Sequence, residues 1–334
     1  MVFSNFLISA LQGQIVGQEY AVGALTRAIT LALARPPGNP RPLAVMLFVG
    51  PPGSGKSHAV RALARVLVGD ERRLIHLDCQ QLSHDGDPLA ALGRQLEMGW
   101  RRSLAVWPRQ QPGVEIVLFA GIDKAPPAFH DHLAAAIDRG EIFTPDRLFP
   151  FANAFVILTS TLSKKKTDQI VGRTIGFYHE GEQGLEMRRQ HLVALEEMDH
   201  MLGGHLVSRI DEIIIFEHPA ERNVVELLDR RLAEIESTLA RTSIAFMIDP
   251  NARAFLLTHA LEDLSHGMRQ LNRVIRNYLE FPLADLILSR RLGPGMAVAT
   301  SRVPPRNYLN FQILIPLLKN TLDIKPAFND VCWA

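Results

Sequence analysis

Cysteine is almost missing from this chain. Its 334 residues contain two, Cys79 and Cys332, too few for a disulfide framework and without the spacing of a zinc site. No excess of one charge is present either. Lys and Arg total 36 against 35 Asp and Glu, and a net charge of +1 argues neither for nor against nucleic acid. Long hydrophobic runs are absent. The most apolar late run, FQILIPLL, is far too short to cross a bilayer. The start, MVFSNFLISALQGQ, lacks the basic n-region and the uninterrupted apolar core of a signal peptide. These absences lead to the expectation of a soluble protein in a reducing, cytoplasmic setting, with no membrane partner.

What is present is ordinary globular composition, 47% apolar and 21% charged, in a chain long enough for one large domain and a smaller one. Residues 6–35 read as helical, with a break near QIVGQ and a linker, RPPGNPRP, at 35–42. Short apolar runs follow, LAVMLFVG, RLIHLD, IVLF, NAFVILTST and DEIIIFEHP. Helical spacing lies between them, as in HAVRALARVLVG and HDHLAAAIDRG, while 79–112 is poorly patterned and a mostly helical insertion precedes the fifth run. Apolar strands alternating with helices imply a parallel sheet covered on both faces. Beyond Pro219 the pattern is all helical, and Pro282 is expected to break its last helix in two. A tail from 303 carries apolar residues that dock on the rest. No internal repeat is visible.

One motif carries chemistry. GPPGSGKS, from Gly50 through Pro51, Pro52, Gly53, Ser54, Gly55 and Lys56 to Ser57, matches G-x-x-x-x-G-K-[ST] in full. It lies between a strand and a helix, as its mechanism demands. Its glycines let backbone N–H groups crowd around phosphate oxygens, and the following helix N-terminus adds a favourable dipole. Lys56 would neutralise β and γ phosphates, and the Ser57 hydroxyl would ligate magnesium. Nucleotide binding, as ATP or ADP with magnesium, is therefore expected.

Further segments resemble a known family in the right order. IVGQEYAVGALTRAI, GPPGSGKSHAVRALARVL, SRIDEIIIFEHP and GMRQLNRVIRNYLEFPLADLILSRRLGPG look like the AAA+ module of Clp-type unfoldases, nearest to the second ATPase module of ClpA and ClpB chaperones. The resemblance covers about residues 6–300 and implies a three-layer αβα sandwich with a parallel sheet. The implied layout is a large nucleotide-binding domain at 1–218, a small mostly helical domain at 219–302 and the tail at 303–334. No first ATPase module and no N-terminal recruiting domain is expected in this chain. By position, Val16 and Gly17 would line the adenine pocket. Arg209 would be the arginine finger that reaches a neighbouring subunit's site, and Arg269 the second sensor that touches the γ-phosphate. The first sensor, normally Asn, falls on Thr161, whose hydroxyl has shorter reach.

The departures are as informative. Aligned on KAPP, the family's acidic pair falls on Ala120 and Gly121, neither of which can hold magnesium or activate water. Asp123 lies two or three residues on, and an extended chain would carry its carboxylate roughly 6 Å or more from the required place; a loop that curls back is the alternative. In place of the family's Gly-aromatic-Val-Gly pore loop, region 84–105 holds EMGWRRS. Gly99-Trp100 either imitates that loop or packs against the sheet or a neighbour, and packing is the favoured reading. HDH at 130–132 reads as a solvated helix face rather than a metal site, and KKK at 164–166 and WRR at 100–102 as loop charges.

The expectation is an ATP-binding, oligomeric Clp-like subunit with weak or absent hydrolysis and weakened magnesium binding, structural or regulatory in a protein-remodelling assembly. Its partners would be copies of itself or paralogous AAA+ subunits in a ring, with a possible protein client. The alternative is an active Clp-like ATP-dependent unfoldase that uses a displaced acid. A nucleic-acid-acting AAA+ protein is set aside because the small-domain segment is Clp-specific.

Overall fold

The computed structural model describes residues 2–36, 38–83, 87–106, 114–161, 198–262, 267–302, 308–314 and 331–332. The chain forms two units, Met1–His218 and Pro219–Ala334. The apolar runs of the first unit become β1 (Ala44–Gly50), β2 (Leu74–Asp78), β3 (Glu115–Ala120), β6 (Ala154–Thr161) and β7 (Glu212–Ile215), with a separate hairpin of β4 (Glu141–Phe143) and β5 (Leu148–Pro150). The five pair in the order β2-β3-β6-β1-β7, every pair parallel. Every residue of β1 is buried, because helices cover both faces of the sheet. On one face lie α1 (Val2–Gln12), α2 (Glu19–Leu33) and α3 (Lys56–Val68), packed on Met46, Phe48, Leu118 and Ile157. The short α4 (Cys79–Leu82), then α5 (Pro88–Val106) and α6 (Pro127–Arg139), bury Leu82, Leu92 and Leu133 on the other, against Val49, Val117 and Phe119. The result is the three-layer αβα sandwich.

One local expectation changes here. The poorly patterned stretch contains α4 and α5, the latter with Leu92, Leu96 and Trp100 at four-residue spacing on the sheet. Residues 107–113, like most of the insertion before β7 and the KKK cluster, lie outside the described residues.

The second unit is mostly helical, with helices Glu221–Arg241, Pro250–Leu261, Met268–Ile275 and Phe281–Leu288. It is not all helical. The strands β8 (Ala245–Ile248), β9 (Ala297–Ser301), β10 (Asn310–Leu314) and β11 (Val331–Cys332) form a sheet in the order β11-β10-β9-β8, so part of the tail completes this sheet. β8 and β9, of four and five residues, alternate inward and outward, as in β9 with Val298 and Thr300 buried, and such runs are too short to outweigh the helical segments around them. Phe311 of β10 joins Leu228, Phe255, Leu271 and Leu286 in one core. Nor does Pro282 break the helix. The chain passes from Ile275 through one π-type turn, Arg276–Glu280, into Phe281–Leu288. That wider turn leaves Pro282 in the first turn of the next segment, where no donor is required of it.

Candidate nucleotide site

β1 delivers the chain to the sheet's carboxyl edge at Gly50, and α3 starts again at Lys56. Gly55, with φ of 99°, is the N-cap of α3, and no side chain caps the first amides of that helix. Those amides, with the positive end of the helix dipole behind them, form a cradle that suits an oxyanion. Lys56 is only 9% exposed. Its Nζ donates to the carbonyls of Gly50 at 2.7 Å and Pro51 at 2.8 Å, contacts that it can exchange for phosphate oxygens on the same side of the loop. Ser57 is exposed at the helix start, with its hydroxyl available to a cation. The phosphate half of a nucleotide therefore fits the donors present. The magnesium half has Ser57 but no carboxylate at the end of β3, and no cluster of metal-ligating acids, His or Cys occurs among the described residues.

The reason lies in the face of the sheet. Ala120 packs with the cluster on the α1–α3 face, and its register partners are Asp78 on β2 and Thr159 on β6. Register partners share a face, so the row nearest to α3 at the carboxyl edge reads Asp78, Ala120, Thr159, with Thr161 two residues on beside Gly50. Asp78, which sequence reading missed, is the acid of that row. Its carboxylate already accepts the N–H of Gln80 at 3.0 Å as the cap of α4. Only the pairing of β2 with β3 reveals it.

The path to Asp123 is not extended. Gly121 sits at φ 70°, a left-handed turn open to glycine, and Ile122–Lys124 form one 3-10 turn. The Gly121 N–H donates to Thr159 Oγ1 at 3.1 Å, and Asp123 Oδ1 accepts the Thr161 N–H at 3.3 Å. The chain thus curls back and sets a carboxylate against the end of β6, the strand beside the phosphate loop. The turn is pinned from below by His130, 4% exposed, whose Nε2 donates to the Ile122 carbonyl at 2.9 Å. His132 likewise binds the Phe143 carbonyl at 3.1 Å. The HDH triplet is therefore a pair of structural hydrogen bonds, and His130 faces the core instead of solvent. Cys79, buried behind the same turn, has its thiol pushed up by burial and then by Asp78 and Asp123.

Between α1 and α2, Val16 and Gly17 are half-buried next to Gln18, which is buried and bonded to the phosphate loop. Arg209 lies elsewhere. It precedes β7, whose Glu212 pairs with Met46 near the start of β1, so it stands at the amino edge of the sheet, opposite the phosphate loop. Its Nε donates to Asp138 Oδ2 at 2.7 Å, and Arg41 Nη2 donates to its carbonyl at 3.1 Å. Arg269 is exposed in the first turn of Met268–Ile275, in the second unit. Trp100 is half-buried and stacks near Phe149, ring centroids 5.7 Å apart, and a Cβ on Gly99 would come within 2.9 Å of Ile75 Cγ2. Gly99-Trp100 is thus a helix-on-sheet contact of α5.

Comparison with known proteins agrees with this fold. Residues 41–213 match the AAA domain (Cdc48 subfamily), and residues 220–300 match the C-terminal, D2-small domain, of ClpB protein. The chain is 31% identical to the chaperone protein ClpB of Aquifex aeolicus over 86% of its own length and 28% of that protein's. It is 28% identical to the chloroplastic chaperone protein ClpD of Arabidopsis thaliana, over 85% of this chain and 30% of the relative. The chain thus spans less than a third of these curated relatives. Among solved structures it shares its fold with the S. cerevisiae Hsp104-ADP complex, with a TM-score of 0.68, 23% identity, and coverage of 90% of this chain and 50% of that one.

Proposed function

Because this chain belongs to the AAA-domain family (Cdc48 subfamily) and carries a Clp-type AAA+ module, we propose that it binds ATP or ADP at Gly50–Ser57 with weakened dependence on magnesium, and hydrolyses it weakly or not at all. It acts as a structural or regulatory subunit, in a ring of its own copies or of paralogous AAA+ subunits, in an assembly that remodels protein in the cytoplasm. One observation carries the reading. The row of side chains facing α3 at the carboxyl edge offers a methyl and short hydroxyls at Ala120, Thr159 and Thr161, and its one acid, Asp78, is spent on capping α4. Loss of a positioned acid–base group lowers a rate by about 10²–10⁴-fold. The groups that hold phosphate without breaking it remain, with Lys56 and the uncapped amides of α3 first among them. Helix α5 also fills much of the stretch between β2 and β3 where a loop gripping an extended client would lie, which favours a supporting role over threading.

The curled turn gives the second reading, an active Clp-like unfoldase, its one specific support. Asp123 reaches the end of β6, and its carboxylate would orient the attacking water. A single experiment separates the two. Purified protein is assayed for magnesium-dependent ATP binding and for phosphate release, with Lys56→Ala and Asp123→Asn alongside. The expected result is binding that Lys56→Ala weakens at least tenfold, with release no faster than in that variant. Release that requires both Lys56 and Asp123 would replace the first reading with the second.

A further inference from the structure

Gln18 joins three segments that are far apart in sequence. It is 6% exposed. Its Nε2 donates to the Ser54 carbonyl of the phosphate loop at 3.2 Å and to the Glu217 carbonyl at 2.8 Å, while its Oε1 accepts the Glu217 N–H at 3.2 Å. Gln18 also ends the segment that carries Val16 and Gly17. Glu217 is the last residue but one of the first unit, directly before His218 and the junction with Pro219. A second contact runs in parallel. A Cβ on Gly50 would lie 2.3 Å from the Phe216 carbonyl oxygen, and the Phe216 N–H donates to the Val49 carbonyl at 2.8 Å. The exit chain therefore meets the start of the phosphate loop directly at Gly50 and its middle, at Ser54, through Gln18.

Resting on the nucleotide-binding reading above, we propose that Gln18 is a positioning residue that couples nucleotide binding at the phosphate loop to the exit chain Phe216–His218, and so to the junction between the two units. A buried amide with both donor positions used leaves a carbonyl unsatisfied whenever one partner moves alone. When the loop closes on phosphate, the Ser54 carbonyl therefore carries Gln18 with it, and Gln18 carries both backbone groups of Glu217.

Hydrogen exchange read by mass spectrometry on the full chain, with and without magnesium ATP, tests this. In the native protein ATP is expected to slow exchange at least fivefold both in a phosphate-loop peptide and in a peptide spanning 214–222. Gln18→Glu keeps the volume and the acceptor for the Glu217 N–H but loses both donor bonds, and Gln18→Ala loses all three. In each, the phosphate loop should still respond to ATP while the response at 214–222 falls below twofold. An undiminished response at 214–222 in Gln18→Glu overturns the coupling, as does a native protein whose phosphate loop responds while 214–222 does not. Lys56→Ala is the control on the premise. If ATP protection is the same in Lys56→Ala as in the native chain, nucleotide binding at this loop is what fails.

Discussion

Ala120 turns its methyl toward the face on which α3 packs, so an acid at this position would point at the phosphate side. The neighbouring position is different. At φ 70° Gly121 has left the strand direction, and a side chain there would be strained by about 1–2 kcal/mol and aimed away from the row that ends at Ala120. Restoring two acids in sequence therefore restores one in geometry. Ala120→Asp is expected to make ATP affinity at least fivefold more dependent on magnesium, as read by titration with and without chelator. Adding Gly121→Glu should lower the unfolding midpoint without raising phosphate release above the single variant. A double variant that turns over much faster than Ala120→Asp would show that the turn at Gly121 yields readily, and the disabling step would then be sequence alone. That positions 120 and 121 carry no acid was legible in the sequence. The curl that brings Asp123 to Thr161 was not, because periodicity carries β3 forward as a strand and says nothing about a left-handed glycine. Asp78 was hidden for another reason, since a residue on one strand enters the site only through its register with another.

Elements were legible where they were long or uniformly apolar. The five strands of the parallel sheet read directly as buried runs, and the helices after β1 and in the second unit as periodic stripes. Short alternating strands were lost in their helical surroundings, as with β8, β9 and β10. So was α5, whose stripe of Leu92, Leu96 and Trp100 is interrupted by charges and by Gly99. That glycine has a packing role. The 2.9 Å approach of its would-be Cβ to Ile75 Cγ2 leaves no room between α5 and β2, and Ile75 is fully buried with a stiff branched side chain. Gly99→Val should therefore destabilise the first unit by about 1–3 kcal/mol through overpacking, measured by urea unfolding. ATP affinity should stay within twofold, because this contact lies on the sheet face opposite α3. If the helix instead imitated a client-gripping loop, Gly99→Val would leave stability unchanged.

Across the whole first unit, the parallel sheet separates the phosphate loop from Arg209, the position at which the resemblance places an arginine finger. The phosphate loop leaves the carboxyl end of β1, and Arg209 enters at the amino end of β7 beside it. Seven residues of β1 put those edges about 20 Å apart, farther than an arginine side chain can reach, so Arg209 cannot serve its own site. Within the chain it is held by Asp138, with Arg41 steadying its carbonyl and Asp211 accepting the Val45 N–H at 2.8 Å. An arginine fixed on one edge and a phosphate cradle on the other suit a head-to-tail contact, the kind that closes into rings. Arg209→Ala should therefore leave the ATP affinity of the isolated subunit within twofold, yet weaken ATP-promoted association at least tenfold in sedimentation velocity across protein concentrations. Arg209→Lys should fall between, because an ammonium keeps the charge and loses the planar fork. The two readouts must separate for the assignment to hold. If Arg209→Ala lowers affinity in the monomer, the arginine acts within its own chain and the two edges do not divide the work; if association is unmoved, some other group meets the neighbour's phosphate.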